Sequence, residues 1–385
     1  MATPGRDERI REAMERTGWD LLVCAMPANV LLLSGYWPAF GCSLALATRD
    51  GQILLIAPED EEEAAQNSWA DEVVTYSPCP LEKFLTAEES LYEAFSAVRR
   101  RLGLTGSRIG FEHGDLSEPA ALAPHLFRGN AVRLLQRAFP AATLAPGDEL
   151  LADLRMLKTA AETEHIRNAC HIAERGFRGG AAVLGTGLTE AQTAAAFRLA
   201  LLSGAGELAH VRRFDGFVCC GRSRARRIEA NELVTVHIQC YADGYWAEAT
   251  RTYHLGPLDS GQRRMCEAVL AARDAALQAI RPGALASSVD RAARAVLEEA
   301  GFGTGFRHPA GHGSGFGVMD YAARPRLHPR SDDLLEAGMV LTLAPGVTAD
   351  GAGSMRAGDM VAVTESGPEV LTPFHWTLDQ LEIRP

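Results

Sequence analysis

Gly311-His312-Gly313-Ser314-Gly315 is the stretch that decides how the rest of the chain is read. A histidine set between glycines implies a side chain presented where backbone segments must approach closely. Upstream lies Gly244-Tyr245-Trp246-Ala247-Glu248-Ala249-Thr250-Arg251-Thr252. Downstream lie Ala344-Pro345-Gly346 and then Arg356-Ala357-Gly358-Asp359.

The blocks sit in a chain of 385 residues, long enough for two domains of ordinary size. Hydrophobic residues make up 47% and charged residues 23%, which excludes global disorder. A net charge of −11 argues against nonspecific nucleic-acid binding and against anionic membrane surfaces. No apolar run approaches the roughly 20 residues of a membrane span. Met1-Ala2-Thr3-Pro4-Gly5-Arg6-Asp7-Glu8 has neither the basic start nor the apolar core of a signal peptide. A cytoplasmic location is expected. The eight cysteines are scattered without a CxxC pair, so they read as small buried hydrophobes.

Local patterns give two halves. Residues 7–18 predict a helix closed by Gly18, and Asp20 to Cys24 a short strand. Leu44 to Thr48 and Gln52 to Ile56 flank Arg49-Asp50-Gly51 and predict a hairpin. A helix starts at Glu59. Near residue 150 the character changes. Asp148-Glu149 opens a helical segment predicted to reach about Leu184, and Thr189 is the expected N-cap of the next helix. Leu233 to Gln239 and Tyr245 to Tyr253 predict paired strands around Ala242-Asp243-Gly244. Residues 260–281 and 287–300 predict helices, and Met339 to Leu343 and Met360 to Thr364 predict strands. Domains over 1–150 and 151–385 are expected.

The order and spacing of the glycine-rich blocks resemble the creatinase/aminopeptidase P/prolidase family. Asn29-Val30-Leu31-Leu32-Leu33-Ser34-Gly35-Tyr36, Leu154-Arg155-Met156-Leu157-Lys158 and Glu162-Thr163-Glu164 extend the likeness over most of the chain. The resemblance implies an α/β N-terminal domain followed by an α+β pita-bread domain. In the family's metallopeptidases these blocks hold two metal ions on Asp, Asp, His, Glu and Glu. The matching positions here are His237, Glu248, His312, Ala344 and Gly358. Two adjacent ions need several carboxylates to offset their charge, and one carboxylate remains. The expectation is a site without metal, as in creatinase.

The remaining polar set is His237, Glu248 and His312 as acid–base residues. Glu248 beside His237 is expected to raise the imidazole pKa. Arg222, Arg224, His308, Asp320, Arg251, Arg356 and Phe40 are expected to contact substrate. Arginine forks suit carboxylate or phosphate, so the Arg222-to-Arg227 run points to an anionic small molecule or an acidic carrier protein. Met319 stands where the resemblance places a substrate-contacting histidine. The leading expectation is metal-independent hydrolysis of a C–N bond in a small anionic metabolite, within a biosynthetic pathway. Two alternatives stay open. His237, Glu248 and His312 form the donor set of a mononuclear iron, zinc or manganese enzyme, or the chain is a non-catalytic, peptidase-like binding protein. The resemblance also implies a homodimer.

Overall fold

The computed structural model describes residues 5–39, 41–103, 108–112, 130–205, 211–218, 225–316 and 324–384. The chain divides into two compact units, Met1–Arg155 and Met156–Pro385.

The first unit is a six-stranded mixed sheet. Its strands are β1 (Leu21–Cys24), β2 (Leu44–Thr48), β3 (Ile53–Pro58), β4 (Glu72–Tyr76), β5 (Arg108–Phe111) and β6 (Thr143–Pro146), in the order β4-β3-β2-β1-β5-β6. The predicted hairpin forms, with Leu44 opposite Ile56. Among the described residues this part of the chain carries the α-helices α1 (Arg6–Thr17), α2 (Pro27–Ser34), α3 (Glu62–Gln66), α4 (Ala87–Leu102), α5 (Asn130–Ala138) and α6 (Asp148–Met156). Gly18 ends α1 in the left-handed region at φ 65°. Leu21, Leu44, Ile56, Leu91 and Phe95 form part of the core between the sheet and α4.

The second unit carries helices α7 (Ala160–Ala181), α8 (Glu190–Ala205), α9 (Ser260–Ala279), α10 (Ala286–Glu299) and α11 (Leu378–Leu381). Its strands are β7 (Val211–Val218), β8 (Leu233–Ala242), β9 (Tyr245–Leu255), β10 (Gly311–Gly313), β11 (Val340–Leu343), β12 (Gly346–Ala349), β13 (Gly353–Arg356), β14 (Asp359–Thr364), β15 (Gly367–Val370) and β16 (Glu382–Ile383). One sheet runs β16-β9-β8-β7, another β10-β11-β14-β15, and β12-β13 form a separate ribbon. A bridge between Thr250 of β9 and Gly358, the residue before β14, joins the two four-stranded sheets.

One element differs from expectation. The helix predicted from Asp148 to about Leu184 is broken after Met156. Leu157 bridges to Met339, and Thr159 then caps α7 in a reciprocal box with Glu162. A polar cap and a strand-like bridge win over continuous helical periodicity. Thr189 does cap α8, accepting from the Gln192 amide at 3.1 Å. Between β8 and β9 the turn has φ 50° at Asp243 and 84° at Gly244, the left-handed pair of a tight hairpin turn.

Candidate active site

The hairpin of β8 and β9 sets the first half of the site. His237 pairs with Thr250 and Gln239 with Glu248. Alternation puts all four side chains on one face, so His237 and Glu248 meet diagonally. His237 Nε2 stands 3.8 Å from Glu248 Oε2. The other imidazole nitrogen, Nδ1, is 2.7 Å from Thr250 Oγ1.

The second half comes from β10 and β11, where His312 pairs with Thr342. The flanking glycines are demanded by close backbone. A Cβ at Gly311 would stand 1.8 Å from the Thr342 carbonyl oxygen, and one at Gly313 would stand 2.1 Å from that of Arg324. His312 Nδ1 lies 3.0 Å from the Gly313 carbonyl oxygen, which fixes that nitrogen as the N–H donor. Nε2 is thereby turned to Glu248 Oε1 at 3.5 Å. One carboxylate thus sits between two imidazoles, each facing a different oxygen.

Glu248 is 5% exposed. Burial pushes its pKa up, but His312 and His237 oppose this, as do hydrogen bonds from Thr342 and Gln239. The net direction is down, so the carboxylate is ionised. Thr342 Oγ1 donates to Oε1, and Gln239 Nε2 donates to Oε2 at 3.3 Å. For His237 the expected upward shift is corrected. Burial outweighs Glu248, and Arg356 and His312 add to the depression, leaving the imidazole at about 4. His237 is therefore neutral at neutral pH.

The other candidates separate. Arg251 is a structural residue, which corrects its assignment to substrate. It is buried, and its five N–H groups donate to Phe374, Thr250, Gly358 and Thr372 carbonyls and to Asp359. None is left for a ligand. Arg356 lies near enough to lower the pKa of both His237 and His308. His308 is partly buried, edge-on to Phe306 at 5.1 Å, with Nδ1 against the Pro309 carbonyl oxygen at 2.9 Å. Phe40, Arg222, Arg224, Met319 and Asp320 lie outside the described residues. Thr342, Thr250 and Gln239 were missed by sequence reading. Strand alternation from Glu248 and Ala344 was the signal that points to them.

Two protein-family models match consecutive parts of the chain. Residues 6–157 match the creatinase/prolidase N-terminal domain, and residues 164–365 match metallopeptidase family M24. The chain belongs to the M24 family. An Xaa-Pro dipeptidase from Pyrococcus furiosus is 29% identical over 377 residues, spanning 95% of this chain and 97% of that protein. The solved prolidase from Pyrococcus horikoshii OT3 is 25% identical with a TM-score of 0.75, covering 95% of this chain and 97% of that one. An Xaa-Pro dipeptidase from Bacillus anthracis, 22% identical, shares the fold with a TM-score of 0.80 over 98% of this chain and 99% of its own. The α/β N-terminal domain and the pita-bread domain follow. The family is one of peptidase hydrolases. Among the described residues no helix is long and apolar enough to cross a membrane.

These findings overturn the functional expectation. The relatives are dipeptidases in a metallopeptidase family, so a metal-independent C–N hydrolase of a small anionic metabolite is withdrawn. The expectation of no cofactor falls with it. Its single-ion alternative fails on geometry, because among the described residues no three His, Cys, Asp or Glu converge to hold an ion. Nor does this chain's donor set fit the two-ion centre that the family implies. Ala344 offers no side-chain donor. At Gly358 a Cβ would stand 2.8 Å from Thr250 Oγ1 and 2.9 Å from its Cβ, so Thr250 fills the room a ligand there would need.

Proposed function

We propose that this chain is a hydrolase of short peptides of the Xaa-Pro dipeptide class. The observation that carries the reading is the ionised Glu248 carboxylate held between His237 and His312. It lies in a chain collinear with an Xaa-Pro dipeptidase over 95% of its length.

In this reading Glu248 takes a proton from the attacking water as oxygen bonds to the peptide carbonyl carbon. The same proton then passes to the departing proline nitrogen as the C–N bond breaks. Neutral His237, fixed by Thr250, and His312, fixed by Gly313, flank the carboxylate and orient the water. His312 and His237, with the hydrogen bonds from Thr342 and Gln239, keep the carboxylate ionised. Arg356, whose charge reaches both His237 and His308, receives the substrate's terminal carboxylate.

The test is proline release from a panel of Xaa-Pro dipeptides by purified protein. It is measured with divalent cations and with chelator, and beside the Glu248→Gln variant. Release is expected from the wild type, with Glu248→Gln lowering kcat/KM by about 100-fold or more. No release under any cation condition, or equal rates in the variant, refutes the proposal.

A further inference from the structure

Asp359 is a buried carboxylate shared by two guanidinium groups, Arg251 at 2.7 Å and Arg273 at 2.5 Å. Arg251 has no N–H to spare. Arg273 does. Its Nε donates to Asp359 and its Nη1 to Asp274 at 3.0 Å, but Nη2 is buried without an acceptor among the described residues. The indole Nε1 of Trp376 is likewise buried without an acceptor. The two side chains stack, with the Arg273 guanidinium carbon 4.5 Å from the Trp376 ring centroid.

Both side chains line one cavity of about 10 Å³, together with Arg251, Arg356 and His375. That volume is about the least that admits one water-sized ligand, and it admits no polyatomic metabolite. Its wall is positively charged. Arg251 and Arg273 are 3% and 4% exposed and share one buried carboxylate, whereas the Asp274 side chain is 61% in solvent. The same field reaches His375. Burial first, then Arg178 and Arg251, hold that imidazole at about 4, so it adds no charge. His375 sits at φ 51°, a conformation that a non-glycine residue adopts only under constraint from its surroundings.

We infer that this cavity binds one halide-sized anion, held by Arg273 Nη2 and Trp376 Nε1. A water would accept both donors, but it would bring two hydrogens into a donor-rich wall and leave the charge unbalanced. A chloride ion accepts both and offsets the second guanidinium. Asp359 adjoins Gly358, whose backbone pairs with Thr250, the partner of His237. The site does not depend on which peptide is cleaved.

The test is the thermal unfolding midpoint of the full chain in sodium chloride, sodium bromide and sodium gluconate at equal ionic strength. A saturable rise of roughly 2–3 °C is expected in chloride and bromide at ten times the dissociation constant. Trp376→Phe, which removes one donor and keeps an aromatic ring, is expected to abolish most of that rise. Crystals grown in bromide are expected to show an anomalous peak in contact with both nitrogens. Equal midpoints in all three salts without a bromide peak would mean that a water occupies the cavity, and the inference fails. A full halide shift retained in Trp376→Phe would place the effect elsewhere and overturn it equally.

Discussion

Gly358→Ala probes how Thr250 has taken over part of the site. The new Cβ would meet Thr250 Oγ1 at 2.8 Å, Thr250 Cβ at 2.9 Å and the Thr250 amide nitrogen at 3.1 Å. Ordinary contacts of this kind lie near 3.5–4 Å, so the overlap is roughly 0.5–1 Å on three atoms at once. Thr250 cannot swing away freely. It is 2% exposed, its backbone pairs with Gly358, and its hydroxyl is tied to His237 at 2.7 Å. Overpacking of this kind costs about 1–3 kcal/mol, and displacing the hydroxyl adds about 1 kcal/mol for the lost hydrogen bond. Thr250→Gly alone also destabilises, through strand entropy and the lost bond, by about 1–2 kcal/mol. In the double variant the two nearest contacts vanish. The cycle should therefore recover about 1–2 kcal/mol relative to additivity. Urea unfolding of the four proteins measures this. The reasoning is refuted if Gly358→Ala costs less than about 0.5 kcal/mol, or if the two changes add within about 0.3–0.5 kcal/mol.

Three further outcomes follow from the same contacts. Asp359→Asn leaves two buried guanidinium groups short of their shared carboxylate and should cost about 3–5 kcal/mol in urea unfolding, with Arg251→Met no milder. His237 binds its proton in the folded state only near pH 4, against roughly 6.5 when unfolded. Between those values the unfolded chain holds more protons. Stability should thus rise with pH across that window, by at most about 3 kcal/mol from this group, and His237→Gln should flatten the slope. Arg356→Ala should raise KM for dipeptides at least 10-fold while N-acylated, C-terminally amidated analogues are unaffected; equal effects on both would remove Arg356 from carboxylate binding.

Much of this was legible in the sequence because local chemistry and tertiary contacts agree. Asp243-Gly244 fixed the β8–β9 turn, and from it the diagonal meeting of His237 and Glu248. The glycines around His312 signalled a close approach of backbone, which the structure supplies as the Thr342 and Arg324 carbonyls. Where reading failed, a nonlocal term decided. Helical periodicity runs through residues 157–159, but the bridge from Leu157 to Met339 breaks it. The sign of the His237 shift depended on burial outweighing one carboxylate, which spacing does not reveal. Arg251 looked available until its five acceptors were gathered from residues up to 123 positions away. Ala344 and Gly358 carry no side-chain donor, and that absence led to the expectation of a metal-independent function. That expectation went too far, since the relatives are dipeptidases.

The most direct measurement is the ratio of kcat/KM for an Xaa-Pro dipeptide to that for its matched Xaa-Ala dipeptide, read by amino-acid analysis in one preparation. The account predicts a ratio well above 10, with Glu248→Gln lowering Xaa-Pro cleavage by about 100-fold or more. A ratio near one, or cleavage undiminished by loss of the Glu248 carboxylate, would contradict it.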